Sequence, residues 1–206
     1  MTLPSEQQLA SELGVGQGTV RKALDALAME NLLVRRQGKG TIVAFPEESR
    51  LHYQFYRMRP DNGAYTPPEN SVRAVRKSPA NALAQEKLRL NKMDQVWEIE
   101  RTKRLGAVVI SVDRIFISVT KFPKIDDVSD NLYVMYATCF GQIVASAVDR
   151  IKSANASRED SELLGCRRGA AILIIDRVAI GLDGAPIEWR LTSCLTDSAH
   201  YLSELR

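Results

Sequence analysis

The segment Leu3 to Val43, LPSEQQLASELGVGQGTVRKALDALAMENLLVRRQGKGTIV, constrains this chain most: it reads as two short helices, a glycine turn and a basic hairpin. Ser5 followed three residues later by Gln8 is a capping-box pattern, and Pro4 stands just outside, where its missing donor breaks nothing. Leu9, Ala10 and Leu13 form one apolar stripe, Gly14 stops the helix, and Val15-Gly16 carry the turn. The second helix runs from about Gln17 to Met29. Its Val20, Ala23, Leu24 and Leu27 fall at i, i+3, i+4 and i+7, which turns Gln17, Thr19, Arg21, Lys22 and Asp25 outward.

Two helices joined by a tight glycine turn fit a helix-turn-helix, whose second helix enters the major groove N-terminus first. Leu32 to Val34 and Thr41 to Val43 are β-prone runs around Arg35, Arg36, Gln37, Gly38, Lys39 and Gly40, a hairpin tip suited to lying along phosphates. Each piece alone is also a solvated surface element; their register favours DNA binding. Residues 1–44 hold five Lys/Arg against four Asp/Glu. DNA affinity must therefore rest on Arg35, Arg36 and Lys39 rather than on a broad basic field.

The 206 residues suffice for one small and one medium domain. No run of eighteen apolar residues and no signal-peptide pattern occurs, so a cytoplasmic protein is expected. Cys139, Cys166 and Cys194 are widely spaced and odd in number, which predicts reduced, mostly buried thiols and neither a disulfide framework nor a zinc site. No metal or cofactor is expected.

Residues 44–50, AFPEESR, read as a linker. Leu51 to Met58 reads as an aromatic strand, Arg59 to Asn70 as a proline- and glycine-rich loop, and Ser71 to Lys77 as a strand. Ser78-Pro79 is expected to open a helix on Ala82, Leu83 and Leu88. Two strands follow, Gln95 to Arg104 and Val108 to Ser118. Alternation puts Trp97, Ile99, Arg101 and Lys103 on one face of the first, and Val109, Ser111, Asp113, Ile115 and Ile117 on one face of the second.

Cations among core residues need an anionic partner. Either Arg101 and Lys103 close an anion pocket in which Asp113 orients a ligand, or these charges reach solvent at a strand end. Asn131 to Phe140 reads as a helix ending at Gly141, with Leu132, Met135, Tyr136 and Cys139 at core spacing; either Asn131 and Tyr133 point into the pocket or Tyr133 packs, as is commoner for an aromatic in such a run. Ile143 to Ala154 alternates as a strand. Ser157 and Asp160 begin a helix that stops at Leu164-Gly165. Ala171 to Ile180 and Ala185 to Cys194 form the last strand pair around Asp183-Gly184. On it Glu188 and Arg190 share a face, either neutralising each other or offering Glu188 to the ligand.

LPSE, GVGQGTVRKALDAL and RRQGKGTIV, in that spacing, resemble the winged helix-turn-helix of GntR-type bacterial transcription regulators. ERTKRLGAVVISVDRIF, NLY, ASREDSELLGCRRGAAIL and LDGAPIEWR resemble the UTRA effector domain of the HutC branch. The resemblance implies an α+β protein: a winged helix-turn-helix over 1–44, a linker over 45–52, and a UTRA domain over 53–206 with an antiparallel sheet similar to chorismate lyase. It implies DNA contacts from Gln17, Thr19, Arg21, Arg35, Arg36, Gln37, Gly38 and Lys39. It implies effector contacts from Arg101, Lys103, Asp113, Asn131, Tyr133 and Glu188, and a homodimer on a two-fold operator, acting as a repressor that answers a small anionic metabolite.

Three departures accompany it. The family's further helix before LPSE has no counterpart, from which a truncated start or an impaired DNA reader is expected. Gly16-Gln17-Gly18 replaces the family's polar contacts at the recognition-helix start. Lys103, Asp113 and Asn131 stand where arginine, glutamate and serine are common; a lysine lacks the arginine fork, so a carboxylate ligand is at least as compatible as a phosphosugar. The alternatives are a ligand-binding protein that has lost DNA binding, or a chorismate-lyase-like enzyme. His52 and His200 lie in no nucleophile or metal motif, which argues against catalysis.

Overall fold

Ser5 starts the first helix as its spacing to Gln8 predicts: its hydroxyl accepts from the Gln8 amide while the Gln8 side chain accepts from the Ser5 amide. The computed structural model describes residues 3–29, 33–36, 40–43, 55–62, 67–125, 128 and 130–203. The chain divides into two compact units, Met1–Leu51 and His52–Arg206.

In the first unit, α1 (Glu6–Leu13) ends where Gly14 takes a left-handed φ of 64°, and α2 (Gln17–Met29) follows. Hairpin strands β1 (Leu33–Arg36) and β2 (Gly40–Val43) complete it. The core is small: Val20, Leu24 and Leu33 are buried, with Leu3, Leu9, Ala10 and Ala28 packed around them. Three residues of the expected apolar stripes do not join it. Leu13 is 66% exposed and Leu27 38%, and Ala23 also faces solvent. Periodicity assigns a face to a residue, but so small a domain covers only part of each stripe.

The second unit is built on six antiparallel strands in the order β4-β5-β6-β9-β8-β7. These are β4 (Glu69–Pro79), β5 (Gln95–Leu105), β6 (Val108–Ser118), β7 (Val144–Asn155), β8 (Ala171–Gly181) and β9 (Pro186–Cys194). A separate pair joins β3 (Met58–Pro60) to β10 (Ala199–Tyr201). The expected aromatic strand over 51–58 is thereby corrected. Residues 51–54 lie outside the described residues, Phe55 to Arg57 are not strand, and the strand begins at Met58, the last residue of the expected one, and runs into Arg59 and Pro60 of the expected loop. Its partner β10 is three residues long, too short to show a period.

Helix α3 (Ala82–Leu88) is capped by Asn81, whose side chain accepts from the Ala84 amide; β4 runs on through Pro79, so Ser78-Pro79 does not open the helix. Leu88 faces the core as expected, but Ala82 is exposed and Leu83 is 54% exposed, and Ala84 is buried in their place. Helices α3 and α5 (Arg158–Leu164) pack on one face of the sheet: α3 against Val96, Val178 and Trp189, and α5 against Val112 and Ile172 through Leu164. Helix α4 (Leu132–Phe140), closed by Gly141 at φ 65°, covers the other face with Leu132, Met135 and Tyr136 on Ile99, Ile115 and Ile117. Cys139, expected at core spacing, is exposed; Tyr133 takes its place in the core. Only Cys194 of the three thiols is buried, which corrects the expectation that most would be.

Candidate functional site

Strand alternation and register assemble the site. Ladder pairing lines up Arg101, Asp113, Thr192 and Ile175 as one cross-strand row, and Ile99, Ile115, Arg190, Arg177 and Asp149 as the next. Directly opposed residues on one face have side chains within reach, so charges from five strands meet beside the core under α4.

Arg101, Lys103, Asp113 and Glu188 are buried, at 3, 6, 0 and 0% exposure, which removes the reading of charges reaching solvent at a strand end. Asp113 accepts from Lys103, from Arg101 Nη2 at 3.2 Å, from Arg190 Nη1 at 3.4 Å and from Thr192 Oγ1 at 2.8 Å. Burial alone would raise its pKa. Lys103, Arg190 and Arg101 outweigh burial and hold it far below the usual carboxylate range. Lys103 moves the other way: burial lowers it to about 8 against the pull of Asp113, and Arg101 and Arg190 push it further down.

Glu188 is the second anchor. Arg190 donates to both its oxygens, Nε to Oε1 and Nη2 to Oε2, each at 2.8 Å. Tyr133 and Tyr136 add hydroxyl bonds of 3.2 and 2.7 Å, one to each oxygen. The carboxylate stays ionised: burial opposes this, but Arg190 and the Tyr136 hydroxyl lower its pKa. Burial, followed by the charge of Glu188, raises both phenols, Tyr133 to about 12.

Asn131 is 7% exposed, and its side-chain oxygen caps α4 by accepting from the Tyr133 and Val134 amides at 3.1 and 3.2 Å. The adjacent Asp130 carbonyl accepts from Arg101 Nη1 at 3.2 Å, tying the helix start to the cation row. Tyr133 lies under the Arg190 guanidinium, 5.5 Å from its ring centroid, and Tyr56 lies 5.7 Å from Lys103 Nζ.

All six sequence-predicted effector residues therefore fall on one sheet face or on the helix start beside it. Asp113 and Glu188, expected to meet a ligand, spend their hydrogen-bonding capacity on the protein's own side chains. Sequence reasoning took Arg190 only as a partner for Glu188 and missed Thr192, Tyr136 and Arg177. The signal was present, since Glu188, Arg190 and Thr192 alternate onto one face of β9. Arg177 sits one strand further, held by Asp149 through two bonds of 2.6 Å.

In the first unit Gln17, Thr19 and Arg21 are exposed along α2. Arg21 Nε donates to Glu6 of α1 at 3.0 Å. Arg35 and Arg36 lie on β1 opposite Thr41 and Gly40. Gln37, Gly38 and Lys39 lie outside the described residues. No helix among the described residues is long and apolar enough to cross a membrane.

Residues 65–200 match the UTRA domain, and residues 1–43 match the bacterial regulatory proteins of the gntR family. The HTH-type transcriptional regulator SmoD of Agrobacterium fabrum is 26% identical over 207 residues, covering 99% of this chain and 86% of that protein. The HTH-type transcriptional regulator TreR of Bacillus subtilis is 25% identical over 210 residues, covering 99% and 85%. Among solved structures, a ligand-binding domain assigned to a GntR-family regulator of Bordetella bronchiseptica superposes with a TM-score of 0.72 at 26% identity, over 75% of this chain and 99% of that one.

Proposed function

The chain belongs to the UTRA-domain regulators of the GntR family, and from that premise we propose a homodimeric, cytoplasmic repressor that releases its operator when a small anionic metabolite binds the second unit. That it is a ligand-responsive DNA-binding transcription regulator follows from the family and its relatives. The finer assignment is carried by one observation: three buried cations, Arg101, Lys103 and Arg190, converge on a single carboxylate, Asp113.

In this reading residues 1–44 read DNA, 45–52 link, and 53–206 bind effector and dimerise. Gln17, Thr19 and Arg21 contact the major groove, and the hairpin from Arg35 to Lys39 contacts phosphates. Arg101 and Lys103 hold the effector's anionic group, Asn131 and Tyr133 line its side, and Asp113 and Glu188 keep the cations aimed. The effector acts by linkage: it favours one arrangement of the two recognition helices and so shifts operator affinity. The site serves binding, not catalysis.

The test is fluorescence anisotropy of an operator fragment titrated with the full chain, with and without a panel of carboxylates, phosphosugars, neutral metabolites and amines. Release by an anion supports the reading. Operator binding that no anion, neutral metabolite or amine alters would overturn the effector assignment.

A further inference from the structure

Four buried cations on the site face, Arg101, Lys103, Arg177 and Arg190, stand against three carboxylates, Asp113, Asp149 and Glu188, while Lys77 at the far end of the same face is exposed to solvent. Arg177 is matched by Asp149, and Arg190 by Glu188, each through two hydrogen bonds. Asp113 is left to serve Arg101 and Lys103 together. The buried part of the face therefore holds an excess of one positive charge, located at the Arg101–Lys103 end.

Unused donors collect at the same end. Arg101 Nε is buried without a hydrogen-bond partner among the described residues, and so is Ser111 Oγ, on a residue that is 0% exposed. Ser111 is the ladder partner of Lys103, and Arg101 is two residues from Lys103 on the same face. The Lys103 ammonium carries three N–H donors and, among the described residues, gives a hydrogen bond to Asp113 alone. Each Nη of Arg101 already donates once, Nη1 to the Asp130 carbonyl and Nη2 to Asp113, whereas Nε is the atom of its fork that is buried with no hydrogen bond among the described residues. Buried donors are almost always satisfied, so several orphans around an uncompensated charge mark a missing acceptor.

Building on the effector reading above, we infer that Arg101 Nε, Lys103 Nζ and Ser111 Oγ hold one monoanionic carboxylate of the effector and discriminate against phosphate monoesters. One carboxylate oxygen takes the Arg101 donor, and the other is shared by Lys103 and Ser111. A single negative charge neutralises the face. A dianion would leave an uncompensated buried negative charge, which a low-dielectric interior penalises. Ser111 is thus a specificity residue of the site, one the sequence pattern places in the row without distinguishing it from the apolar residues beside it.

The experiment is a titration of the full chain, labelled with nitrogen-15, with sodium acetate and with sodium sulfate at matched ionic strength. It follows the Arg101 Nε–H resonance, assigned by its loss in Arg101→Lys. Acetate should shift it saturably at millimolar concentrations, with sulfate much weaker. Ser111→Ala should weaken acetate about tenfold, the effect of one hydrogen bond to a charged group. The substitution removes a buried orphan hydroxyl, so it should not threaten folding. Sulfate saturating below acetate, or a resonance that acetate leaves unmoved, would overturn the inference; the second result would mean that water satisfies these donors. A neutral metabolite that releases operator while acetate leaves the resonance unmoved would remove this inference and leave the regulator reading standing.

Discussion

Arg190 grips Glu188 through two parallel 2.8 Å hydrogen bonds at the floor of the sheet, and Tyr133 and Tyr136 close on the same carboxylate from α4. The pair fixes helix to sheet and holds Arg190 where it also reaches Asp113. Glu188 therefore acts as a positioning residue, and its loss should be felt first as stability.

Glu188→Gln should cost about 3–5 kcal/mol, the range for removing one partner of a buried ion pair and leaving the other uncompensated. Urea unfolding followed by circular dichroism measures it. A variant as stable as the parent would place Glu188 among ligand-contacting groups instead.

Lys103 gives a pH signature. Its folded pKa, lowered to about 8 from 10.5, means that the unfolded chain binds more protons between those values. Stability relative to Lys103→Met should therefore rise as pH increases from about 8 towards 10.5, because deprotonation relieves the buried charge more readily in the folded state. Chemical denaturation of both proteins across that range supplies the difference. A difference independent of pH would show that Lys103 titrates normally.

Asn131 holds the start of α4 with its side-chain oxygen, so Asn131→Ala should lower stability by about 1 kcal/mol through loss of the cap. Asn131→Ser, which retains a capping oxygen, should recover most of it. A melting temperature unchanged in the alanine variant would show that the cap contributes nothing.

Arg21 and Arg101 should separate the two activities. The Arg21–Glu6 pair is solvent-exposed on the arginine side, 59%, so Arg21→Ala should change stability by less than about 1 kcal/mol while weakening operator binding. Arg101→Ala should leave operator binding intact and abolish release by the effector. Anisotropy titrations of both variants would expose any shared defect, which would contradict this division of labour.

Local pattern determined much of this protein. The Ser5 and Ser157 capping boxes, the left-handed glycines at 14, 141 and 165, and the β5–β6 and β8–β9 pairs are interactions between near neighbours, so composition and spacing encode them. Alternation likewise put Arg101, Lys103 and Asp113 on matching faces. Only the tertiary structure decided that Asp113 on β6 meets Arg190 on β9, that Tyr133 rather than Cys139 joins the core, and that β3 finds β10 across the length of the unit. Those outcomes depend on strand order and on which side chains a particular helix covers. A two- or three-residue period cannot carry either, because it records the direction of a side chain and never the identity of what stands opposite.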